Sequence, residues 1–121
     1  MTAYTRRNLG GKLFVIEWDL VVTDGVGVSG DFYENDGAEL VSIVGFSDSG
    51  LNVFLNFSNL QSEAISMNIS GIVFVPSAPG FEPAYSPKPV IPPTMRRYNA
   101  QAEASGSDNG AARVGLLFKQ L

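Results

Sequence analysis

Residues 13–23 read LFVIEWDLVVT, and every even position in this stretch is apolar. The odd positions carry Glu17, Asp19 and Thr23 among smaller apolar residues. Side chains alternate between the two faces of a β-strand, so this period of two predicts a long strand with one buried face. Trp18 lies on the apolar face, where we expect it to anchor the core.

Similar patterns recur along the chain and predict further strands. Residues 40–46 are apolar on both faces apart from Ser42 and Gly45, which is typical of a central strand. Residues 51–57, 65–69 and 114–118 alternate again, and glycine-containing turn signals such as Asp24-Gly25 separate several of these runs. This spacing predicts an all-β protein, a small antiparallel β-sandwich or barrel of about six or seven strands.

The chain is long enough for a single domain, in which the β body covers residues 13–75. Residues 1–12 are predicted to form an N-terminal arm. All seven prolines fall within residues 76–93, which we expect to be extended and polyproline-like, with no ladder strand running through them. Residues 99–112 are rich in Ala, Ser, Gly and Asn and are predicted to be a flexible loop, and residues 113–121 a returning C-terminal strand.

The composition excludes several kinds of function. The chain has no cysteine and no histidine, which removes disulfides, thiolate and imidazole metal ligands and the commonest general base. We therefore expect no enzyme, no metal and no cofactor. A formal charge of −4 argues against nucleic-acid binding. No apolar run suits a signal peptide or a membrane helix, so we expect neither export nor membrane insertion.

Glu17 and Asp19 are the best catalytic candidates in the chain. Two carboxylates at i and i+2 on one strand face lie about 7 Å apart, and glycoside hydrolases use paired acids at similar separations. A sheet face on which both acids are simply solvated is the favoured interpretation.

Four clustered acids could gather around a calcium ion, because hard cations take carboxylate ligands: Asp31, Glu34, Asp36 and Glu39. The EF-hand spacing fails, since placing Gly37 at its sixth position puts Phe32 first and Ile43 last. A metal site is not expected here.

Charge is segregated along the sequence. No lysine or arginine lies between Leu13 and Pro87, a stretch that carries ten acids, and the cations lie at the two ends of the chain. Opposite charges segregated in this way can attract between copies, or between the protein and an acidic scaffold. We predict a partner-binding set from the basic ends and from the proline-rich segment: Arg6, Arg7, Lys12, Phe81, Tyr85, Arg96 and Arg97.

A small β domain with extended segments and with no export signal, cysteine or histidine resembles the virion accessory proteins of tailed bacteriophages, especially capsid decoration or cement proteins. The resemblance implies a structural protein that stabilises a phage head through contacts with a capsid or other virion protein and with itself, commonly as a homotrimer. It also implies a location in the virion, and in the host cytoplasm during assembly.

Two alternatives remain open. One is a phage tail or head-fibre component. The other is a carbohydrate-binding β-sandwich, in which Tyr33, Tyr85 or Tyr98 would stack on sugar rings and asparagines would bind hydroxyl groups.

Overall fold

A computed structural model describes residues 1–48, 50–59, 64–69, 84–85, 95–104 and 106–121, which form two packed antiparallel sheets. This arrangement is a small β-sandwich, so the all-β prediction is confirmed. The strands of the described part of the chain are β1 (Tyr4–Gly10), β2 (Leu13–Val22), β3 (Val28–Ser29), β4 (Tyr33–Glu34), β5 (Ala38–Ser47), β6 (Leu51–Ser58), β7 (Ala64–Asn68), β8 (Ala84–Tyr85), β9 (Arg97–Ala104) and β10 (Gly110–Gln120).

The first sheet has the strand order β1-β2-β10-β5-β8. β2 and β10 pair from Leu13 opposite Lys119 to Val22 opposite Gly110. The even positions of both strands face the second sheet and are buried, as the alternation in β2 predicts: Phe14, Ile16, Trp18, Leu20, Val22, Ala112, Val114, Leu116 and Phe118. The long strand is therefore confirmed, although Val15 and Glu17 on its other face are buried as well, and β10 returns to the body as expected.

The second sheet has the order β3-β9-β6-β7, and β4 also pairs with β9. The prediction of a flexible loop over residues 99–112 is wrong, because β9 and the start of β10 occupy most of it. Ala100 and Ala102 lie in the core, where β9 packs against β2. Methyl side chains leave room for the large side chains of the facing strand, and alanine carries too little hydrophobic signal for this burial to be read from the sequence.

The predicted N-terminal arm is also corrected by the structure. β1 pairs with β2 in a hairpin, whose turn holds Gly10, Gly11 and Lys12 at φ values of +83°, +59° and +67°. Every residue of β1 is exposed. An edge strand of this kind lacks the apolar alternation by which strands are recognised, although its backbone is paired along one side.

Trp18 and Gly30 join the two sheets along one side of the sandwich. The indole N–H of Trp18 donates to the carbonyl oxygen of Asp31 at 2.8 Å, and the N–H of Gly30 donates to the carbonyl of Ala100 at 2.7 Å. Trp18 is fully buried, which confirms its predicted place in the core. The N-terminus completes this junction, since Thr2 forms a parallel bridge with Gly30.

The proline-rich segment contributes one short strand. β8 pairs with Val44 and Gly45 of β5, so the prediction that no ladder strand runs through residues 76–93 is wrong at Ala84 and Tyr85. Both residues keep the backbone N–H that proline lacks, and β8 lies at the sheet edge, where short strands near prolines are tolerated. The other residues of this segment, including Phe81, lie outside the described residues.

Candidate interaction surfaces

The turn between β1 and β2 forms one side of a shallow depression of about 280 Å³, which we call the hairpin depression. The end of β10 forms part of its rim. Its lining contains two cations and no acid: Arg6, Asn8, Gly10, Lys12, Leu13, Phe14 and Gln120.

Arg6 lies over the aromatic floor of the hairpin depression. Its Cζ atom is 3.9 Å from the centroid of the Phe14 ring, and its Nε–H donates to Oδ1 of Asn8 at 3.3 Å. A guanidinium group has five N–H donors, so the Nε–H bond to Asn8 leaves the two terminal nitrogens as further donors. Stacking on the ring and bonding to Asn8 orient the cation before any partner arrives.

Lys12 holds the turn in a conformation that glycine would adopt more easily. A residue with a β-carbon in a sparsely populated backbone region costs about 1–3 kcal/mol, and Lys12 has a φ of +67°. Its carbonyl accepts the N–H of Gln120 at 2.7 Å, which attaches the turn to the last strand. Positive φ values are the usual geometry of tight hairpin turns, and here they place Lys12 in the lining of the depression.

The outward face of the first sheet carries a ladder of four charged side chains across β1, β2 and β10. Arg7 Nε lies 2.9 Å from Glu17 Oε1. Arg113 Nε lies 3.7 Å from Glu17 Oε2 and 2.6 Å from Asp19 Oδ1. The hydrogen bond to Asp19 is the main reason that the pKa of Arg113 is raised, with burial acting in the opposite direction.

This ladder changes the interpretation of Glu17 and Arg7. The expectation of two simply solvated acids is wrong for both, because the Glu17 side chain is only 11% exposed and Asp19, although 61% exposed, is paired with Arg113. Arg7 meets a carboxylate of its own chain, where we expected it to bind a partner. Arg113 was missed because it lies 94 residues from Asp19 in the sequence, and only the register of β10 brings the two together.

We expect Glu17→Gln to destabilise the fold more than Asp19→Asn. Glu17 bridges two arginines in a nearly buried position, so removing its charge should lower the free energy of unfolding by about 1–2 kcal/mol. Asp19 is 61% exposed at its side chain, and its replacement should cost below about 1 kcal/mol. Urea unfolding of both variants measures the difference, and equal losses would show that the ladder does not depend on Glu17.

Amide side chains cover part of the outward face of the second sheet. Asn56 Nδ2 donates to Gln101 Oε1 at 2.8 Å, and the Arg97 Cζ atom lies 4.8 Å from the centroid of the Phe32 ring. A second depression of about 230 Å³, which we call the amide depression, is lined by Phe32, Asn56, Phe57, Ser58, Asn59, Ala64 and Arg97. Its aromatic edge and amides are groups that can contact a polar, ring-shaped ligand.

The predicted partner-binding residues do not form one surface. Arg6 and Lys12 line the hairpin depression, and Arg7 belongs to the ladder. Arg97 lines the amide depression, while its exposed neighbour Arg96 accepts the N–H of Asn35 through its backbone carbonyl. Phe81 lies outside the described residues, and Tyr85 is placed only by the pairing of β8 with β5.

The tyrosines proposed as sugar platforms have other environments. Tyr98 is buried in the core at 5.8 Å from the ring of Phe118, and burial raises its pKa. It therefore offers no face to a ligand. Tyr33 is half-buried and packs against Tyr4 and Phe118.

The acids considered for calcium do not converge in the described part of the chain. There, no three or more Asp or Glu side chains approach closely enough to hold a metal ion. The same residues contain no helix long and apolar enough to cross a membrane.

Comparisons of the chain with protein-family models, with curated proteins and with solved structures found no match. The chemistry of its surfaces is therefore the basis on which a function can be argued.

Proposed function

We propose that this protein is a structural component of a virion, of the capsid decoration type. In this proposal it stabilises a phage head by binding a capsid or other virion protein and further copies of itself, as a homotrimer. The observation that carries the proposal is the hairpin depression, an acid-free cationic surface with an apolar floor on a chain whose net charge is −4. Such a surface fits an acidic protein partner.

The apolar part of the hairpin depression would supply most of the affinity. Exposed ion pairs contribute only about 0–1 kcal/mol each, so Arg6 and Lys12 would steer and align a partner. Phe14 is only 2% exposed and lies beneath Arg6, so the apolar contacts with a partner would come from the half-buried Leu13 and from Leu9, which is 44% exposed beside the turn. Because the cations steer the partner while apolar contacts hold it, association should be fast and sensitive to salt.

The amide depression favours a second candidate, a carbohydrate-binding module. Phe32 is 41% exposed and lies beside the amide of Asn56, which suits stacking and hydroxyl recognition. Binding to an array of glycans that disappears in Phe32→Ala would favour this candidate.

A tail or head-fibre component is the remaining alternative, and the particle fraction that contains the protein would identify it.

Mass spectrometry of purified particles tests the main proposal directly. We expect the protein in intact heads, at a copy number set by the capsid lattice. Its absence from particles, with detection in host lysate, would refute a virion role. Recovery in isolated tails but not in heads would select the tail alternative.

Charge reversal then tests the hairpin depression. We expect Arg6→Glu with Lys12→Glu to slow association with heads lacking the protein, and to flatten the dependence of the association rate on ionic strength. Arg96→Glu reverses an exposed cation of the same predicted set that lies outside the depression, and binding through the depression requires a smaller effect there than at Arg6→Glu or Lys12→Glu alone. Equal salt slopes for wild type and the double variant would show that the depression is not the binding surface.

A further inference from the structure

In the described part of the chain, the charged residues at the end of the sandwich opposite the hairpin depression are acidic. Three loops meet there, and their described residues together with the end of β9 cover 23–27, 48, 50, 103–104 and 106–109, which include no lysine or arginine. We call this surface the acidic end and define it by four residues: Asp24, Asp48, Glu103 and Asp108.

Hydrogen bonds from backbone N–H groups, two of them to side-chain oxygens, hold these residues in place. The N–H of Asp24 donates to Oδ1 of Asn109 at 2.6 Å, and the N–H of Gly25 donates to the carbonyl of Asp108 at 2.9 Å. Oδ2 of Asp48 accepts the N–H of Ala111 at 2.8 Å. Asp24 and Gly25 are therefore held against Asp108 and Asn109, and these described residues offer a partner a surface that is already positioned.

The two charged surfaces lie at opposite ends of β2 and β10. The paired positions run from Leu13 and Lys119 beside the hairpin depression to Val22 and Gly110 beside the acidic end. Ten residues of strand span about 30 Å, which is several times the screening length of about 8 Å at physiological salt. One copy therefore cannot neutralise its own depression with its own acidic end.

We propose that copies of this chain associate head to tail, with the hairpin depression of one copy binding the acidic end of the next. Facing two depressions would bring cations together, and facing two acidic ends would bring carboxylates together, so a symmetric contact through either surface is disfavoured. A head-to-tail contact is heterologous, and it closes into a ring when the rotation between copies allows. The inference rests on the proposed self-association, and a ring of three is one such closure.

Exposed apolar side chains adjoin both surfaces, and their burial between copies would supply most of the binding affinity. Leu9, 44% exposed, directly precedes the turn, and Leu121 follows β10 at the same end. Val26 is 65% exposed in the first loop of the acidic end.

Two acids, Asp36 and Glu39, also lie at the hairpin end, beside β5. Glu39 is opposite Lys119 in the sheet, and neither acid lines the depression.

Substitutions that remove charge without reversing it test the hairpin depression and the acidic end one at a time. The first variant, Arg6→Gln with Lys12→Asn, removes the charge of the depression, and asparagine tolerates the left-handed conformation at position 12. The second variant, Asp24→Asn with Asp108→Asn, removes charge from the acidic end. Analytical ultracentrifugation at low and high salt measures association, and urea unfolding checks that each variant folds.

We expect wild type to associate at low salt and to dissociate as salt rises. Each variant alone should associate at least about tenfold more weakly, a loss of about 1.4 kcal/mol. An equimolar mixture of the two variants should form dimers and nothing larger. The intact acidic end of the first variant can bind the intact depression of the second, and the altered surfaces that remain exposed cannot bind a further copy. Glu34→Gln with Asp36→Asn, two exposed acids outside both surfaces, is the control for a loss of two charges and should behave as wild type.

Three results would overturn the inference: a wild type that is monomeric at all salt concentrations, a variant that associates as strongly as wild type, or a mixture that forms no dimer. Detection of the protein in purified heads would still support the virion role in each case, so the two proposals can fail separately. A variant that unfolds is replaced by its single substitutions, Lys12→Asn and Asp108→Asn, measured in the same way.

Discussion

Trp18→Ala is expected to lower the free energy of unfolding by about 3–5 kcal/mol, the range typical of removing a buried tryptophan. Trp18 has no exposed surface, packs edge-on against Tyr4 at 6.2 Å and bonds to the carbonyl of Asp31. Alanine would leave a cavity between the sheets and an unpaired carbonyl at their junction. Small domains are stable by only about 5–15 kcal/mol, so this loss is a large part of the total.

Urea unfolding followed by circular dichroism measures this effect, because Trp18 is the only tryptophan and its replacement removes that fluorescence signal. Val21→Ala, on the same strand and 61% exposed, is the control and should cost below about 1 kcal/mol. Trp18→Phe keeps an aromatic ring but loses the indole donor, so its loss of stability should be larger than that of Val21→Ala and smaller than that of Trp18→Ala. A Trp18→Ala protein as stable as Val21→Ala would show that Trp18 does not anchor the core.

Gly30→Ala should destabilise the fold by about 1–3 kcal/mol or more, because overpacking a close contact forces side chains or backbone to move. A β-carbon at position 30 would overlap the indole ring of Trp18. The backbone of Gly30 cannot retreat freely, since its N–H is bonded to Ala100 and Thr2 bridges it from the other side. The added methyl group would therefore push the two sheets apart at their junction.

Gly27→Ala is the matched control for Gly30→Ala. A β-carbon at position 27 would make ordinary contacts of 3.6 Å with Glu103 and 3.7 Å with the carbonyl of Ala102. The same substitution should there be neutral or stabilise by about 0.4–1 kcal/mol, through a less flexible unfolded chain. Thermal unfolding of both variants gives the comparison. Equal midpoints would contradict the close packing of Gly30 on Trp18.

The strands that the sequence predicted well are those with strong alternation. β2 and β6 place a large apolar side chain at every second residue, and each is buried on that face. β1 and β9 were missed because neither has a large apolar side chain at every second residue. β1 is exposed throughout, and two of the residues that β9 buries are alanines. Their strand conformation follows from pairing with β2 and β6, which periodicity within one segment does not report.

The candidate surfaces were predicted only in part. The separation of charge along the chain pointed to Arg6 and Lys12, which the hairpin brings into one depression. The same reasoning assigned Arg7 to a partner, although Glu17 of its own chain binds it. Charge counts report how many cations a segment has, but the direction of each side chain depends on whether it falls on the inner or outer face of its strand.

The all-β class, the place of Trp18 in the core and the position of the cations near the chain ends could all be predicted from the sequence. The contacts of Arg7 and Arg113 with Glu17, and the bond from Gln120 to the turn at Lys12, depend on the three-dimensional fold. It also decided that one end of the sandwich is acidic, by bringing together three loops that lie far apart in the sequence. The physical reason is that alternation and composition are local properties, whereas strand register and loop proximity arise from pairing between distant residues.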